Sequence, residues 1–215
     1  MISQFLKIKQ EIAHALLLGL LIMFIFIVPL FPESWLRYLY LINFSLIFFV
    51  SILTLEKGRE KALPIALITF ALVWISDIFT MVVLVVTSKL AMIIFFGIIV
   101  VRLLIQVAGS KKVDLIVILS SISGYLLLGS LFALILAILV VPFPGALNIP
   151  IGSDSILDEL IYFTFVTMTT LGYGDVLPIQ PVSRSLAIFM SVSGQFYIAI
   201  IVAMLVSKYI AAKNN

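Results

Sequence analysis

Hydrophobic residues fall along this chain in long, nearly unbroken runs, not in the alternating or 3.6-residue stripes of a domain with one wet face. The runs cover residues 13–30, 35–55, 62–87, 90–107, 113–141 and 183–210. Each is close to or above the roughly 20 residues a helix needs to cross a hydrocarbon core of about 30 Å. The first ends in Pro29-Leu30-Phe31-Pro32, which reads as a helix stop at a tight turn; no small-x-small site for removal of a signal peptide follows it. Trp35, Tyr38 and Tyr40 open the second run as an interfacial aromatic belt. Charged loops at 56–61 and 109–112 separate later runs, while Ser88 and Lys89 provide a minimal turn between the third and fourth. Residues 1–11 mix polar and apolar positions as a short interfacial helix does. The expected fold is an all-α membrane protein with six transmembrane helices, divided into a peripheral four-span domain (1–112) and a second unit (113–215).

Composition agrees with that reading. Charged residues make up 11% of the 215, less than half the roughly 25% of a soluble domain. The absence of cysteine excludes disulfides and thiolate metal sites. The single histidine, His14, lies near Glu11 at the start of the first run and reads as an interfacial residue. Positive charge is asymmetric. With the N-terminus inside, Lys7, Lys9, Lys57, Arg59, Lys61, Lys111, Lys112, Lys208 and Lys213 fall on the inner side. Arg37, Lys89 and Arg184 fall outside, and Arg102 lies within a span. Both termini are therefore expected in the cytoplasm, with the 142–180 connection on the outer face of the cell membrane. The expected partners are the lipid bilayer and further copies of the chain, with no nucleic acid. No internal repeat or low-complexity segment is present.

The long connection carries the chemistry. Ser155 with Asp158 fits a capping box, and Asp158 and Glu159 sit where a helix dipole is positive. The apolar stretch from Leu160 to Val166 then lasts about three turns, too short to cross and so expected to dip in and return. Its C-terminal end would direct partial negative charge inward, which favours a cation. Next comes Thr167-Met168-Thr169-Thr170-Leu171-Gly172-Tyr173-Gly174-Asp175, with two glycines alternating among larger residues. Glycine takes φ > 0 without steric cost, and alternating such conformations turns successive carbonyls to one side. Five residues at roughly 3 Å each make about 15 Å of backbone lined with oxygens. One such strand encloses nothing. Four around an axis can replace a cation's water shell. Non-helical backbone at membrane depth survives only in protein or beside water, which itself argues for an oligomer.

Residues Thr169 to Asp175 resemble the filter signature T-T-x-G-Y-G-D of the potassium channel family, with Leu171 at its variable aliphatic position. The resemblance runs from Asp158 to about Leu205. It implies a homotetramer conducting potassium passively, with Thr170, Leu171, Gly172, Tyr173 and Gly174 as the ion-binding filter. The carbonyls of Thr170, Leu171, Gly172 and Tyr173, with the Thr170 hydroxyl, would bind dehydrated potassium; no cofactor and no enzymatic activity are implied. Tyr173 would point away from the axis as a strut, and Asp175, Tyr162 and Thr169 would support the filter. Tyr162 and Phe163 stand where many relatives carry two tryptophans, and Tyr162 keeps a hydroxyl that can bond Asp175. Val166 replaces the glutamate some relatives pair with that aspartate, so no buried acid pair is expected. Gly194 in Gly194-Gln195-Phe196-Tyr197 matches the family's hinge glycine, with close helix packing as its other reading. Ser191, Ser193 and Gln195 are candidates to face a cavity.

Six spans with the filter before the last resembles the voltage-gated architecture, whose fourth span bears an arginine at every third position. Here residues 90–107 hold Arg102 alone. One charge in each of four subunits gives at most about 9 kcal/mol per 100 mV, too little for steep gating. Asp77 and Arg102 are the intramembrane charges outside the filter unit; counted along their helices they differ in depth by more than about 10 Å. Two other classes compete. Gly172-Tyr173-Gly174-Asp175 also fits G-x-G-D, the motif around one aspartate of intramembrane aspartyl proteases, which need a second membrane aspartate such as Asp77. The alternative within channels is a subunit that needs a partner or conducts non-selectively. Five residues follow the last run, so no ligand-binding domain is expected after it.

Overall fold

The computed structural model describes residues 2–55, 59–79, 81–110, 112–139, 143–149 and 156–213. Its helices are α1 (Ile2–Ile22), α2 (Glu33–Leu53), α3 (Arg59–Phe79), α4 (Val82–Gly109), α5 (Leu115–Leu139), α6 (Ile156–Met168) and α7 (Pro181–Lys213). Among the described residues six helices are long and apolar enough to cross a membrane, and α6, at 13 residues, is not one of them. Regular strands are absent there; one isolated bridge joins Leu147 to Pro178. The chain is an all-α membrane protein.

Proline shapes the end of α1. Pro29 has no N–H to give to the preceding turn, and the helix loosens into a π turn at Met23–Ile27 and a 3-10 turn at Val28–Leu30. Phe31 is then extended, and α2 starts directly after Pro32.

The third and fourth spans divide elsewhere than at Ser88 and Lys89. α3 stops at Phe79 and α4 begins at Val82, so both residues lie inside a helix. The Thr87 and Ser88 hydroxyls bond the carbonyls of Val83 and Val85 at 2.7 and 2.9 Å, which lets polar residues stay helical. Arg102 consequently lies seven residues from the C-terminal end of α4, about 10 Å along its axis. Asp77 lies two residues from the end of α3, at the opposite side of the bundle.

One apolar core joins the peripheral bundle to the rest of the chain. Phe24, Phe44, Phe48, Phe95 and Phe96 are all nearly inaccessible and form tilted, stacked or edge contacts at 4.6–6.0 Å. The same cluster continues through Leu126, Leu127, Ala133 and Leu134 of α5 to Ile161 of α6. The bundle thus packs on the α5 and α6 of its own chain.

Polar ties fasten the two ends. Where α3 ends, Arg37 of α2 donates to Asp77 Oδ1 at 2.8 Å and to the Asp77 carbonyl at 2.9 Å. Asp77 is therefore paired with Arg37 and not with Arg102. Tyr40 of α2 donates its hydroxyl to Asp158 in the first turns of α6. At the far end His14 is fully buried, with Ser120 Oγ 3.1 Å from Nδ1 and Gln106 Nε2 3.4 Å from Nε2. His14 is a polar node among α1, α4 and α5, not an interfacial side chain. Lys208 near the end of α7 donates to the carbonyls of Val107 and Ala108, the latter at 2.9 Å, capping α4. Ser155, the expected capping partner of Asp158, lies outside the described residues, as do Lys111 and residues 56–58.

Candidate ion-conduction site

The site is the loop between α6 and α7. α6 is carried on α5 through a missing side chain: a Cβ at Gly129 would lie 2.3 Å from the Phe165 ring. On the other side Gly194 of α7 passes the end of α6 so closely that a Cβ would lie 2.6 Å from the Met168 carbonyl oxygen. α7 runs through Gly194 as one continuous helix, so close approach is the geometric property of that glycine here.

A helix end leaves its last four carbonyls without intrahelical partners. In α6 all four are taken. Phe165 O receives the Thr169 N–H at 3.0 Å and the Thr169 hydroxyl at 2.7 Å. Val166 O receives the N–H groups of Leu171 and Gly172 at 3.0 and 3.3 Å, and Thr167 O that of Thr170 at 3.1 Å. Met168 O receives Gln195 Nε2 from α7 at 3.2 Å. The loop is thereby strapped to the helix that precedes it.

Past that strap the backbone alternates. Thr170, Gly172 and Gly174 have φ of 61°, 57° and 81°, while Leu171 and Tyr173 between them stay in the ordinary negative range. For a β-branched residue such as Thr170 the left-handed region costs of order 1–3 kcal/mol and needs surroundings that enforce it. The bonds from Thr170, Leu171 and Gly172 to the α6 carbonyls supply that enforcement. The Thr170 hydroxyl bonds the Thr169 carbonyl at 2.6 Å. A cleft of about 380 Å³ lies between this backbone, α6 and α7, lined by Thr170, Gly172, Gly174, Phe163 and Ser191 among others.

The loop's far end is braced twice. Tyr162 donates its hydroxyl to Asp175 Oδ2 at 2.5 Å, and Val176 N–H reaches Asp175 Oδ1 at 3.0 Å. The Tyr162 hydroxyl holds the Asp175 carboxyl below the usual carboxylate range, and the tyrosine is itself pushed up to about 12 by that bond. Asn148 supplies the second brace. Its amide donates to Asp175 O at 3.4 Å and accepts from Leu177 N–H, while its backbone N–H reaches Leu177 O at 3.1 Å. Ile179 N–H to Ala146 O at 2.9 Å and Ser183 Oγ to the same oxygen at 2.6 Å extend the clamp to the start of α7.

Residues 115–211 match a family model described as "Ion channel". That stretch comprises α5, α6, the strapped loop and most of α7, and the match supports an ion channel family, a class of non-enzymatic transporters. No curated protein and no solved structure matches the chain.

Of the residues expected at the site, Thr169, Thr170, Leu171, Gly172, Tyr173, Gly174, Asp175 and Tyr162 are brought together, and Gly194 lies behind them. Leu171 and Tyr173 are exposed on the single chain. Asp77 and Arg102 are not part of this site. Sequence reasoning missed Asn148, Gly129 and Tyr40. An asparagine near a proline-rich connection is a weak turn signal, and neither its partner 27 residues away nor the close approach at Gly129 leaves a local mark.

Proposed function

We propose that this chain is the subunit of a potassium-selective channel in which four copies surround an axis lined by the carbonyls of Thr170, Leu171, Gly172 and Tyr173. The observation that carries this reading is the alternation of positive φ at Thr170, Gly172 and Gly174 with ordinary φ between, in backbone tied to the end of a short re-entrant helix. Such alternation faces successive carbonyls the same way, and rings of carbonyls can substitute for a cation's hydration shell. The ion-channel match over the same residues supports it.

The chain leaves apolar surface available for contacts with further copies. Ile188, Phe189, Phe196, Ile200 and Tyr209 of α7 are each more than half exposed, although they belong to a span beside a polar loop. Tyr173, two-thirds exposed, has room to act as a strut against another copy. The bias of lysine and arginine toward the end opposite the loop supports a cytoplasmic location for that end in the cell membrane, with conduction passive.

Steep voltage dependence is not part of the proposal. α4 holds Lys89 and Arg102, thirteen residues apart, in place of a regular series. Two charges near opposite ends of a helix fall short of the 3–4 per subunit that steep gating uses. Proteolysis is disfavoured because Asp77 is paired with Arg37 and Asp175 with Tyr162, which leaves neither free to share a proton with the other.

The test is reconstitution of the purified chain alone into planar bilayers with potassium and sodium on opposite sides. A reversal potential near that of potassium is expected. Absence of current, or a reversal potential indifferent to the two cations, would refute a self-sufficient selective channel.

A further inference from the structure

A cavity of about 600 Å³ lies between α2, α3 and α4 on one side and α5 and α6 on the other, on the filter side of the bundle. Its lining is mainly apolar, including Leu41, Phe44, Met92 and Leu134, with Leu157 and Leu160 contributed by α6. Its polar members are Arg37, Tyr40, Ser76, Asp77, Ser88 and Lys89. Nearly all of these are occupied. Arg37 and Asp77 neutralise each other, Tyr40 donates to Asp158, and the two serine hydroxyls bond the carbonyls of Val73 and Val85.

Lys89 is the exception. It is half-buried, yet has no hydrogen bond or ion pair among the described residues. It sits seven residues into α4, about 10 Å from the filter-side end. An ammonium at that depth in an apolar wall is costly unless it reaches an anion or the interface. The lining carries two cations and one anion, hence one net positive charge beside an apolar slot open to the membrane.

We propose that this cavity is a binding site for one anionic phospholipid of the filter-side leaflet, with its phosphodiester on the Lys89 ammonium and an acyl chain in the slot. Charge complementarity selects a headgroup of net −1 with no amine of its own, because Arg37 is already matched by Asp77. Depth selects a lipid over a soluble anion. The lining runs from Arg37 to Phe44 along α2, about 10 Å, and hydrocarbon fills such a wall while a free phosphate leaves it empty. Because Leu157 and Leu160 form part of the lining, the bound chain also buttresses the helix whose far end straps the filter loop.

The experiment counts lipid and needs no current, so it stands or falls separately from conduction. The full chain is purified from vesicles of phosphatidylcholine doped with phosphatidylglycerol, and retained phosphatidylglycerol is measured by native mass spectrometry. One molecule per subunit is expected. Lys89→Met should weaken retention about tenfold or more, since a hydrogen bond to a charged group is worth about 1.5–3 kcal/mol and 1.4 kcal/mol is tenfold. Val85→Trp, which fills the slot and leaves every charge in place, should also lower occupancy, while Lys208→Met should not. Native-like retention by Lys89→Met overturns the proposal. So does displacement by inorganic phosphate, which would mark a headgroup-only site, or the absence of retained lipid from the unmodified protein. If Lys89→Met does not assemble, undiminished retention by Val85→Trp overturns it equally.

Discussion

Replacing Gly194 by alanine separates its two readings, and the outcome can be worked from the contact it makes. The new Cβ would sit 2.6 Å from the Met168 carbonyl oxygen and 3.1 Å from the Met168 Cβ. An ordinary carbon–oxygen approach is about 3.3–3.6 Å, so α6 and α7 must separate by most of an ångström. The obstructing atom is backbone, and it already receives Gln195 Nε2, so no side-chain rotation relieves the overlap. Overpacking of this kind costs about 1–3 kcal/mol, and alanine's better helix propensity returns up to about 1 kcal/mol. The net loss is about 0–3 kcal/mol, which at this chain length lowers Tm by up to about 12 °C; relative to a glycine-to-alanine change with the same propensity gain and no overlap, the full ~1–3 kcal/mol remains. Gly97→Ala is the control, because nothing lies within 4 Å of its added Cβ. Scanning-fluorimetry melts of the two variants in the same detergent decide the matter. If Gly194→Ala melts with Gly97→Ala, the close-approach argument is wrong and a hinge role regains its standing.

Gly129→Ala should also destabilise, but by displacing the Phe165 ring, so the double variant with Phe165→Leu should recover most of the loss in the same melts. Gly172→Ala puts a side chain at φ +57°, a region costing roughly 1–2 kcal/mol, and the potassium-to-sodium permeability ratio should collapse in bilayer recordings. Tyr162→Phe should loosen the loop by the same amount at every pH between about 5 and 9. The Asp175 carboxyl is held below its unfolded range, so its contribution is present above that range and lost as acid protonates it in the folded state. The tyrosine's raised value means that side of the bond fails only as pH rises through about 12. A native-minus-variant Tm difference that changes within pH 5–9 would contradict this. Arg37→Gln should lower Tm more than Arg102→Gln, because only Arg37 has an ion-pair partner among the described residues; equal shifts would refute the assignment.

Whatever the chain states by local chemistry was legible from its residues. The glycines at 172 and 174 mark positive φ because few other residues tolerate it, and 13 residues are plainly too few to cross a membrane. The end of α3 at Phe79 and the start of α4 at Val82 were not legible, since no glycine or proline marks them, while Ser88 and Lys89 imitate a turn from within a helix. Arg37 and Asp77 lie forty residues apart, and counting depth along isolated helices cannot reveal that α2 and α3 bring them together. His14 looked interfacial because its two partners are supplied by α4 and α5. Thr170 was expected in the filter, but its positive φ follows from hydrogen bonds of residues 170–172 to carbonyls three to six residues back, a local backbone strap that no side chain announces and that overrides the preference of a β-branched residue.

Lys208 bears on how force can travel through the molecule. Its ammonium joins the last turns of α7 to the terminal carbonyls of α4, beside the short connection that leads into α5. An axial slide of α4 must therefore either break these charge-assisted bonds or drag the lower end of α7 with it. With no long connecting helix in between, little slack exists to absorb such a displacement. The two segments behave as a yoked pair, and the end of the chain where α4 meets α7 is stiffer than its thin connection alone would make it.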